Sequence, residues 1–376
     1  MTDLPRALTD LQTPCLLVDL ARVGHNLAAM RTHLRGDLAR WRPHVKTSKI
    51  PEVLDLVLRS GVRHFKCATT REAEVLLGRA AAPIDLLVAM AHYGRNLERI
   101  RDLAQAYPQH RLSVLTEDPA HARAVLALGT ELSLFVDLDP GYGRSGIPMG
   151  DTARLDATTA AAGARLRGLH CYEGHLRGDH ASRTAACDAV YAALATVAAR
   201  VQPKREHDLE LVTSGTPAFP FALATPRLAG FTHRVSPGTV VYWDQTSEDF
   251  GIEGFLPAAT VLTTVISAPR ADKITCDAGS KAVDAASGDP CAFAMGMPHL
   301  RARTPSEEHL PFERIGDGPM PSAGSLLRLV PRHVCPTVNL ADEAVLLDGD
   351  AIVGIVAVRA RGHEVVAPRQ PGQEGR

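Results

Sequence analysis

Eight short β-like runs alternate with longer helix-like segments between residues 40 and 236, and this alternation constrains the fold more than any other feature of the sequence. Strands that alternate with helices form βα units and a parallel sheet. Eight units match the repeat number of a TIM barrel, so we predict an α/β fold built on a (β/α)8 barrel. A doubly wound open sheet is the alternative. The predicted barrel strands are 40–46, 63–69, 84–90, 111–116, 131–138, 166–173, 209–214 and 231–236.

After about residue 240 the sequence changes character. β-branched runs broken by Gly, Pro and Asp replace the helical period, as in "AATVLTTVISAPRADKITCDAG" and "AIVGIVAVRA". Such runs predict a smaller, mostly antiparallel β domain. The apolar run "CLLVDL" at 15–20 precedes the barrel, and we expect it to join this β domain. We therefore predict a barrel domain of residues 22–240 and a β domain of residues 1–21 plus 241–376.

The composition excludes several kinds of partner. The formal net charge is −1 and the two signs are interleaved, which argues against a nucleic-acid surface. The N-terminus has no apolar signal segment, and no apolar run approaches membrane-spanning length. The seven cysteines are odd in number, scattered and without a CxxC pair, which indicates reduced thiols. We expect a cytoplasmic protein that binds neither nucleic acid nor membranes.

Reactive side chains follow the predicted barrel strands at the ends where TIM barrels carry their active sites. Lys46 ends the first strand, Arg144 follows the fifth in "DPGYGRSG", and Tyr172 and His175 follow the sixth in "CYEGH". The loops "TSGTPA" and "SPGT" follow the last two strands, and their backbone N–H groups could approach a phosphate closely. We infer a phosphorylated cofactor, with Lys46 as the candidate for a Schiff base. The alternative is that Lys46 is a surface charge at the start of a helix.

The segment "VPRHVCPTVNL" (330–340) predicts a metal site. His333 and Cys335 stand two apart in a β-like run, so both side chains would point to one face. An imidazole with a thiolate suits zinc or another borderline metal that keeps open positions. A core cysteine beside a surface histidine is the alternative. The histidines of "HCYEGHLRGDH" are a competing ligand set, and "SEEHLPF" (306–312) supplies either an acid–base residue or a solvated turn.

Taken in order, these motifs resemble the D-threonine aldolase and D-serine dehydratase family, which are fold-type III pyridoxal-phosphate enzymes akin to alanine racemase. The resemblance extends from about residue 11 to 362. It implies a barrel that binds pyridoxal phosphate, a β domain beside it, and a homodimer. It rests on "RPHVKTSK", "KCATTREAE", "GYGRSG", "GLHCYEGHL", "VTSGTPA", "SPGTVVYWD", "CDAGSKA", "SEEH" and "PRHVCPTVNL".

The resemblance also implies roles for individual residues. Lys46 corresponds to the lysine that forms the Schiff base, Arg144 to the arginine that faces the pyridine nitrogen, and Tyr172 to a tyrosine near the cofactor. His333 and Cys335 correspond to the pair that binds a divalent metal, for which zinc is the first expectation and manganese or magnesium the alternatives. The remaining predicted cofactor contacts are Thr69, Ser214, Gly215, Thr216, Gly238 and Thr239, and the remaining predicted acid–base residues are His175 and His309.

The chain departs from the aldolases in three motifs. It has HxC where they have HxD, "CATTREAE" where they have a CQK-type turn, and "TSGTPA" where they have GGGTGS. The cysteine and the threonine-rich turn favour dehydration, although "CPTVNLAD" resembles the aldolase side. We predict a pyridoxal-phosphate- and divalent-metal-dependent lyase acting on D-β-hydroxy amino acids, of the D-serine or D-threonine dehydratase type. The alternatives are retro-aldol cleavage to glycine and an aldehyde, an amino-acid racemase, and a non-catalytic pyridoxal-phosphate carrier.

Overall fold

The structure is a computed structural model that describes residues 6–129, 131–204 and 208–365. Its strands form two sheets, one parallel and curled, the other mostly antiparallel. In chain order the strands are β1 (Cys15–Asp19), β2 (His64–Cys67), β3 (Asp85–Val88), β4 (Arg111–Thr116), β5 (Ser133–Asp139), β6 (Ile147–Pro148), β7 (Leu166–Cys171), β8 (Glu210–Thr213), β9 (Thr232–Val235), β10 (Ala259–Arg270), β11 (Lys273–Cys276), β12 (Ala292–Ala294), β13 (Leu300–Ala302), β14 (Leu310–Arg314), β15 (Leu326–Pro331), β16 (Glu343–Asp348) and β17 (Ala351–Ala357). The α-helices are α1 (Leu20–His33), α2 (Pro51–Arg59), α3 (Thr70–Arg79), α4 (Gly94–Ala106), α5 (Pro119–Leu126), α6 (Thr152–Ala162), α7 (His180–Val201), α8 (Phe219–Ala224), α9 (Gln245–Glu248) and α10 (Val334–Leu340).

The predicted barrel is confirmed. Its strands run parallel in the order β2–β3–β4–β5–β7–β8–β9. The predicted first strand, 40–46, is irregular: single parallel bridges join Trp41 to Val235 of β9 and His44 to Lys66 of β2. Pro43 lies between the two bridges and has no N–H to donate, so no continuous ladder forms there. The segment nevertheless closes the barrel by bridging its first and last regular strands.

The N-terminal strand joins the second sheet, as predicted. β1 pairs antiparallel with β10 and parallel with β16. The sheet runs β13–β14–β11–β10–β1–β16–β17, with β15 and β12 attached to β10. β1 ends at Asp19 and β10 begins at Ala259, while the exact domain boundaries after residues 21 and 240 stay a prediction. Because β1 leads directly into α1, the β domain is tied to the barrel at the start of the chain.

Two expectations about secondary structure are wrong. Residues 334–340 form helix α10 and not a β run, because β15 ends at Pro331 and the buried Asp244 carboxylate accepts from the Val334 N–H at the new helix's first turn. Pro336 fits there because the first turn of a helix has no intrahelical N–H bonds to lose. The second wrong expectation is that no apolar run approaches membrane-spanning length, because helix α7 is long and apolar enough, by length and composition, to cross a membrane. It is nevertheless a helix of the core, since its buried residues recur three and four apart along one face.

A buried ionic cluster fills the N-terminal end of the barrel. Arg42 is fully buried, and its guanidinium donates to the carboxylates of Asp85 at 2.9 Å and Glu210 at 2.7 Å. Arg167 pairs with both carboxylates, and Arg234 lies 3.0 Å from Glu210. The two carboxylates lie at this end because Asp85 is the first residue of β3 and Glu210 is the first residue of β8. Their chemistry is therefore structural, on the face opposite to the predicted site.

Candidate active site

The predicted site residues border a cavity of about 420 Å³ at the C-terminal ends of the barrel strands, against the start of α10. A larger hollow of about 900 Å³ lies at the opposite end of the barrel, and no predicted site residue lines it. The smaller cavity is thus the one that joins groups from both the barrel and the β-domain segment. The predicted residues that line it are Lys46, Tyr172, Gly215, Thr216, Gly238, Thr239, His333 and Cys335.

Small residues after β8 and β9 form one wall of the cavity. A Cβ at Gly238 would lie 2.3 Å from the carbonyl oxygen of His44, and a Cβ at Gly215 would lie 2.9 Å from the ring of Tyr172. Only glycine fits at such close approaches. Ser214 does not itself line the cavity; it adopts a left-handed conformation (φ 58°) that turns the chain towards Gly215.

Two hydroxyl groups in this wall are buried and have no partner in the described part of the chain. They are Oγ1 of Thr216 and Oγ of Ser236. Buried hydroxyls without partners are costly, and an anionic ligand with several acceptor oxygens would satisfy both. The wall therefore fits the phosphate of a cofactor such as pyridoxal phosphate. Ser236 was absent from the predicted contacts, although it is the first residue of "SPGT".

Lys46 faces this wall from the turn that closes the barrel. Its side chain is half-buried, and its backbone N–H donates to Nδ1 of His44 at 3.3 Å. Burial, with the charges of Lys46 and Lys66, lowers the pKa of His44 well below 6.5, so the His44 imidazole is neutral. This bond fixes the backbone of the turn, and the Lys46 side chain lines the cavity that the small-residue wall borders.

A chain of three polar side chains inside the barrel was not predicted. Lys66 lines the cavity, its Nζ lies 3.2 Å from Nε2 of His170, and Nδ1 of His170 lies 2.7 Å from the Asp137 carboxylate. The sequence contained one indication of this chain: Lys66 and His170 are polar residues within the predicted strands β2 and β7. Along a barrel strand, side chains that face the barrel interior alternate with side chains that face the surrounding helices. Their meeting across 104 residues depends on barrel closure.

Aromatic rings surround the loop that carries Arg144. The guanidinium carbon of Arg144 lies 5.0 Å from the ring centre of Tyr172 and 4.7 Å from that of Tyr142, within the range of cation–π contacts. His175 stacks on Tyr142 with ring centres 5.1 Å apart. Arg144 and His175 do not line the cavity of this chain; Arg144 contacts Tyr172, which does, and His175 contacts Tyr142. Their predicted contacts with cofactor and substrate stay predictions.

His333 and Cys335 meet at the cavity, although not as neighbours on a strand. His333 is the residue before α10 and Cys335 lies in its first turn. Burial by itself would raise the pKa of the Cys335 thiol, but its hydrogen bond to His333 and the charges of His333 and Lys46 lower that pKa below 9.0. Thr47 supplies a further contact, with Oγ1 3.0 Å from Sγ. These features favour the thiolate, which is the metal-binding form.

The donor set fits a metal with two protein ligands. Within residues 6–129, 131–204 and 208–365, no group of three His, Cys, Asp or Glu residues converges to hold an ion. An imidazole and a thiolate would supply two of the three protein ligands usual in catalytic zinc sites and would leave the other positions for water or substrate. Asp244 positions the pair, because it accepts from the N–H of Val334 between the two ligands at 3.0 Å.

Two predicted residues lie away from the cavity. Thr69 caps helix α3: its Oγ1 accepts from the Glu72 N–H at 3.1 Å, and the Glu72 carboxylate accepts from the Thr69 N–H in return. Thr69 therefore already has a structural hydrogen-bonding role. His309 is exposed in the turn between β13 and β14, where its carbonyl accepts from the Ser306 N–H. This chain does not bring His309 to its own cavity.

The fold and the cavity together define a class of protein. It is an α/β-barrel protein whose cavity fits a phosphorylated cofactor beside Lys46, with the thiol of Cys335 and the imidazole of His333 at the same cavity. Two family models match the sequence: the alanine racemase N-terminal domain over residues 18–246 and a serine dehydratase domain over residues 258–347. The second match contains the segment with His333 and Cys335.

Individual relatives agree with these matches. The chain is 30% identical to D-threonine aldolase of Arthrobacter sp, over 94% of each chain, and 29% identical to D-threo-3-hydroxyaspartate dehydratase of Delftia sp. (strain HT23), over 88% of this chain and 92% of the relative. The crystal structure of D-threonine aldolase from Filomicrobium marinum superposes with a TM-score of 0.82 at 27% identity, covering 94% of this chain and 97% of that one. This chain belongs to the D-threonine aldolase and D-serine dehydratase family of alanine racemase fold, and it is an enzyme of that lyase type.

Proposed function

We propose that the protein is a pyridoxal-phosphate- and divalent-metal-dependent lyase that converts D-serine, D-threonine or a related D-β-hydroxy amino acid to a 2-oxo acid and ammonia. The observation that carries this proposal is the meeting of Lys46 and the His333–Cys335 pair at one cavity. A lysine beside a metal-binding pair suits a substrate with a reactive amine and a hydroxyl group on the next carbon. The balance is simple: the substrate loses water, and water returned in hydrolysis releases ammonia.

Residues of the small-residue wall hold the cofactor. The hydroxyls of Thr216 and Ser236 and the backbone at Gly215 and Gly238 would hold its phosphate, and Lys46 would hold its carbonyl group. The bound cofactor supplies the electron sink for negative charge that develops on the substrate's α-carbon. Lys46 would be the base that takes the substrate's α-proton.

His333 and Cys335 hold the divalent metal, with zinc as the first choice. The metal supplies a Lewis acid at the β-hydroxyl, where it would help hydroxide to leave. Asp244 and Thr47 keep the two ligands in place through Val334 and the Cys335 sulfur. A solved structure of the dehydratase relative, in which a cysteine is replaced by alanine, is described as the metal-free form, which supports a cysteine ligand in this branch.

Aldol cleavage is the second candidate. It is favoured by the similarity to D-threonine aldolase of Arthrobacter sp over 94% of this chain. In that reaction the β-hydroxyl loses its proton and the bond between the α- and β-carbons breaks, giving glycine and an aldehyde. The same lysine and metal pair would serve, and a different base would take the hydroxyl proton; His175, which stacks on Tyr142 near Tyr172, is the predicted candidate.

Product analysis with D-threonine separates the two reactions in one tube. The purified protein is incubated with D-threonine, pyridoxal phosphate and a divalent metal. Formation of 2-oxobutanoate and ammonia would support dehydration, whereas glycine and acetaldehyde would establish the aldolase instead. Activity that survives a chelator, with interconversion of D- and L-enantiomers, would show a racemase and refute both. Size-exclusion chromatography with light scattering tests the homodimer, which we propose together with a cytoplasmic location.

Variants assign the two parts of the site. Lys46→Ala should abolish the visible absorbance of bound pyridoxal phosphate, whereas Lys281→Ala, at an exposed lysine of the β domain, should retain it. A Lys46→Ala protein that still absorbs would show that another lysine carries the cofactor. His333→Ala and Cys335→Ala should lose turnover and metal content together, and unchanged metal content in both would place the metal elsewhere.

A further inference from the structure

Lys66 lies in the barrel interior at the floor of the cavity and has no role in the proposed reaction. Only 3% of the residue is exposed, and it lines the same cavity as Lys46. Buried lysines normally pair with a carboxylate. Across the described ranges, Lys66 forms no ion pair within 4.0 Å, and its Nζ instead lies 3.2 Å from Nε2 of His170. A buried amine kept without a carboxylate beside it requires an explanation.

The directions of the hydrogen bonds define which atoms of Lys66, His170 and Asp137 carry protons. The Asp137 carboxylate accepts from Nδ1 of His170 at 2.7 Å, so Nδ1 carries the proton and Nε2 is left as an acceptor. Lys66 therefore donates to His170. The Asp137 carboxylate accepts in addition from the Ser145 hydroxyl at 3.0 Å, which holds it in place. Burial lowers the pKa of Lys66 to about 7, with the charge of Lys46 acting in the same direction.

We propose that the charge of Lys66, held by His170 and Asp137, controls the protonation of the Schiff base that Lys46 forms with the cofactor. The inference rests on the proposed role of Lys46. Lys66 acts here as a positioning residue, because it works through Lys46 and not on the substrate. Two cations in one cavity oppose each other's protonation, so the two nitrogens titrate as a coupled pair.

Other charged groups face the same two amines and fix the sign of the effect. Glu173 and Asp137 favour a proton on Lys66, while Arg144 and Lys46 oppose it. His44 is neutral and contributes no charge. On the other side of the cavity lie His333 and Cys335, and whatever charge they and a bound metal carry is the same in the wild type and in the Lys66 variants. Neutralising Lys66 leaves all of these other groups in place. The loss of its positive charge should make the Schiff base easier to protonate.

The test is a spectrophotometric pH titration of the holoenzyme without substrate. Lys66→Gln removes the charge but keeps an N–H that can donate to His170, so it is the variant least disturbing to the fold. Lys66→Met removes both charge and donor, and Lys66→Arg retains the charge. We expect the midpoint of the absorbance change to rise by about 1 pH unit or more in the Gln and Met variants, since a nearby buried charge shifts a titration by 1 to 3 units. The Arg variant should stay close to the wild type.

Two controls make the result decisive. Lys281→Met removes the same charge from an exposed position in the β domain and should leave the midpoint unchanged, because solvent screens it. Cofactor stoichiometry, measured on every protein, shows whether the site is intact. Unmoved midpoints in both Lys66→Gln and Lys66→Met, at full stoichiometry, would overturn the inference while leaving the proposed lyase function standing. Absence of any cofactor absorbance in the wild-type protein would overturn both.

Discussion

Removal of Arg42 should be the most damaging single substitution in the barrel away from the cavity. The Arg42 guanidinium donates to side-chain oxygens of Asp85 and Glu210 and to the carbonyl of Phe65 at 3.1 Å. Arg42→Met leaves the two buried carboxylates without their central partner. Breaking a buried ion pair from one side costs about 3 to 5 kcal/mol. Arg167 and Arg234 still face the carboxylates, so we expect a loss of about 3 kcal/mol, the lower end.

The pH dependence gives a second measurement of the same cluster. Burial would raise the pKa values of Asp85 and Glu210, but the arginines, Arg42 first, lower both below their ordinary values. A carboxylate with a lowered pKa stabilises the fold above its unfolded pKa, about 4, and this contribution is lost as the pH falls through the folded pKa. Without Arg42 that loss should begin at higher pH.

Urea unfolding followed by circular dichroism, between about pH 2 and 7, measures both effects. A double variant, Arg42→Met with Glu210→Gln, is the matched control, because it also neutralises one of the two carboxylates that have lost Arg42. It should recover part of the stability lost in Arg42→Met. Two results would refute the reasoning: an Arg42→Met protein within about 1 kcal/mol of the wild type, or a double variant less stable than the single one.

Three further predictions concern the cavity. Ser236→Ala and Thr216→Ala should each weaken pyridoxal phosphate binding about 10-fold, because each removes one hydrogen bond of about 1.4 kcal/mol. Fluorescence titration of the apoprotein measures the affinity, and an affinity equal to that of the wild type would contradict the prediction. Gly238→Ala should reduce cofactor binding more strongly than either, because its Cβ would collide with the His44 carbonyl; an unchanged dissociation constant would show that the loop yields. Asp244→Asn should weaken metal binding about 10- to 100-fold, because Asp244 holds the backbone at Val334 between the two predicted ligands. Competition with a chromophoric chelator measures the affinity, and wild-type affinity would show that Asp244 does not position His333.

Much of the architecture was readable from local sequence. The alternation of short apolar runs with helical periods predicted the parallel barrel, and the β-branched texture after residue 240 predicted the second sheet. Both patterns arise because strands and helices bury their faces with different periods, which is a property of neighbouring residues. The motifs likewise placed Lys46 and the glycine-rich loops at strand ends, where the barrel brings them to a common rim.

Other features depended on the tertiary structure alone. The segment 330–340 has a β-like composition, yet it becomes helical from Val334 because the distant Asp244 caps its first turn. The surroundings of Lys66 exist only because barrel closure brings β2, β5 and β7 round a common interior. Periodicity specifies which face of an element is buried, but not which side chains from separate elements share that burial. The sequence alone therefore predicted the barrel and the position of Lys46 at a strand end, and the fold decided which charges surround that lysine.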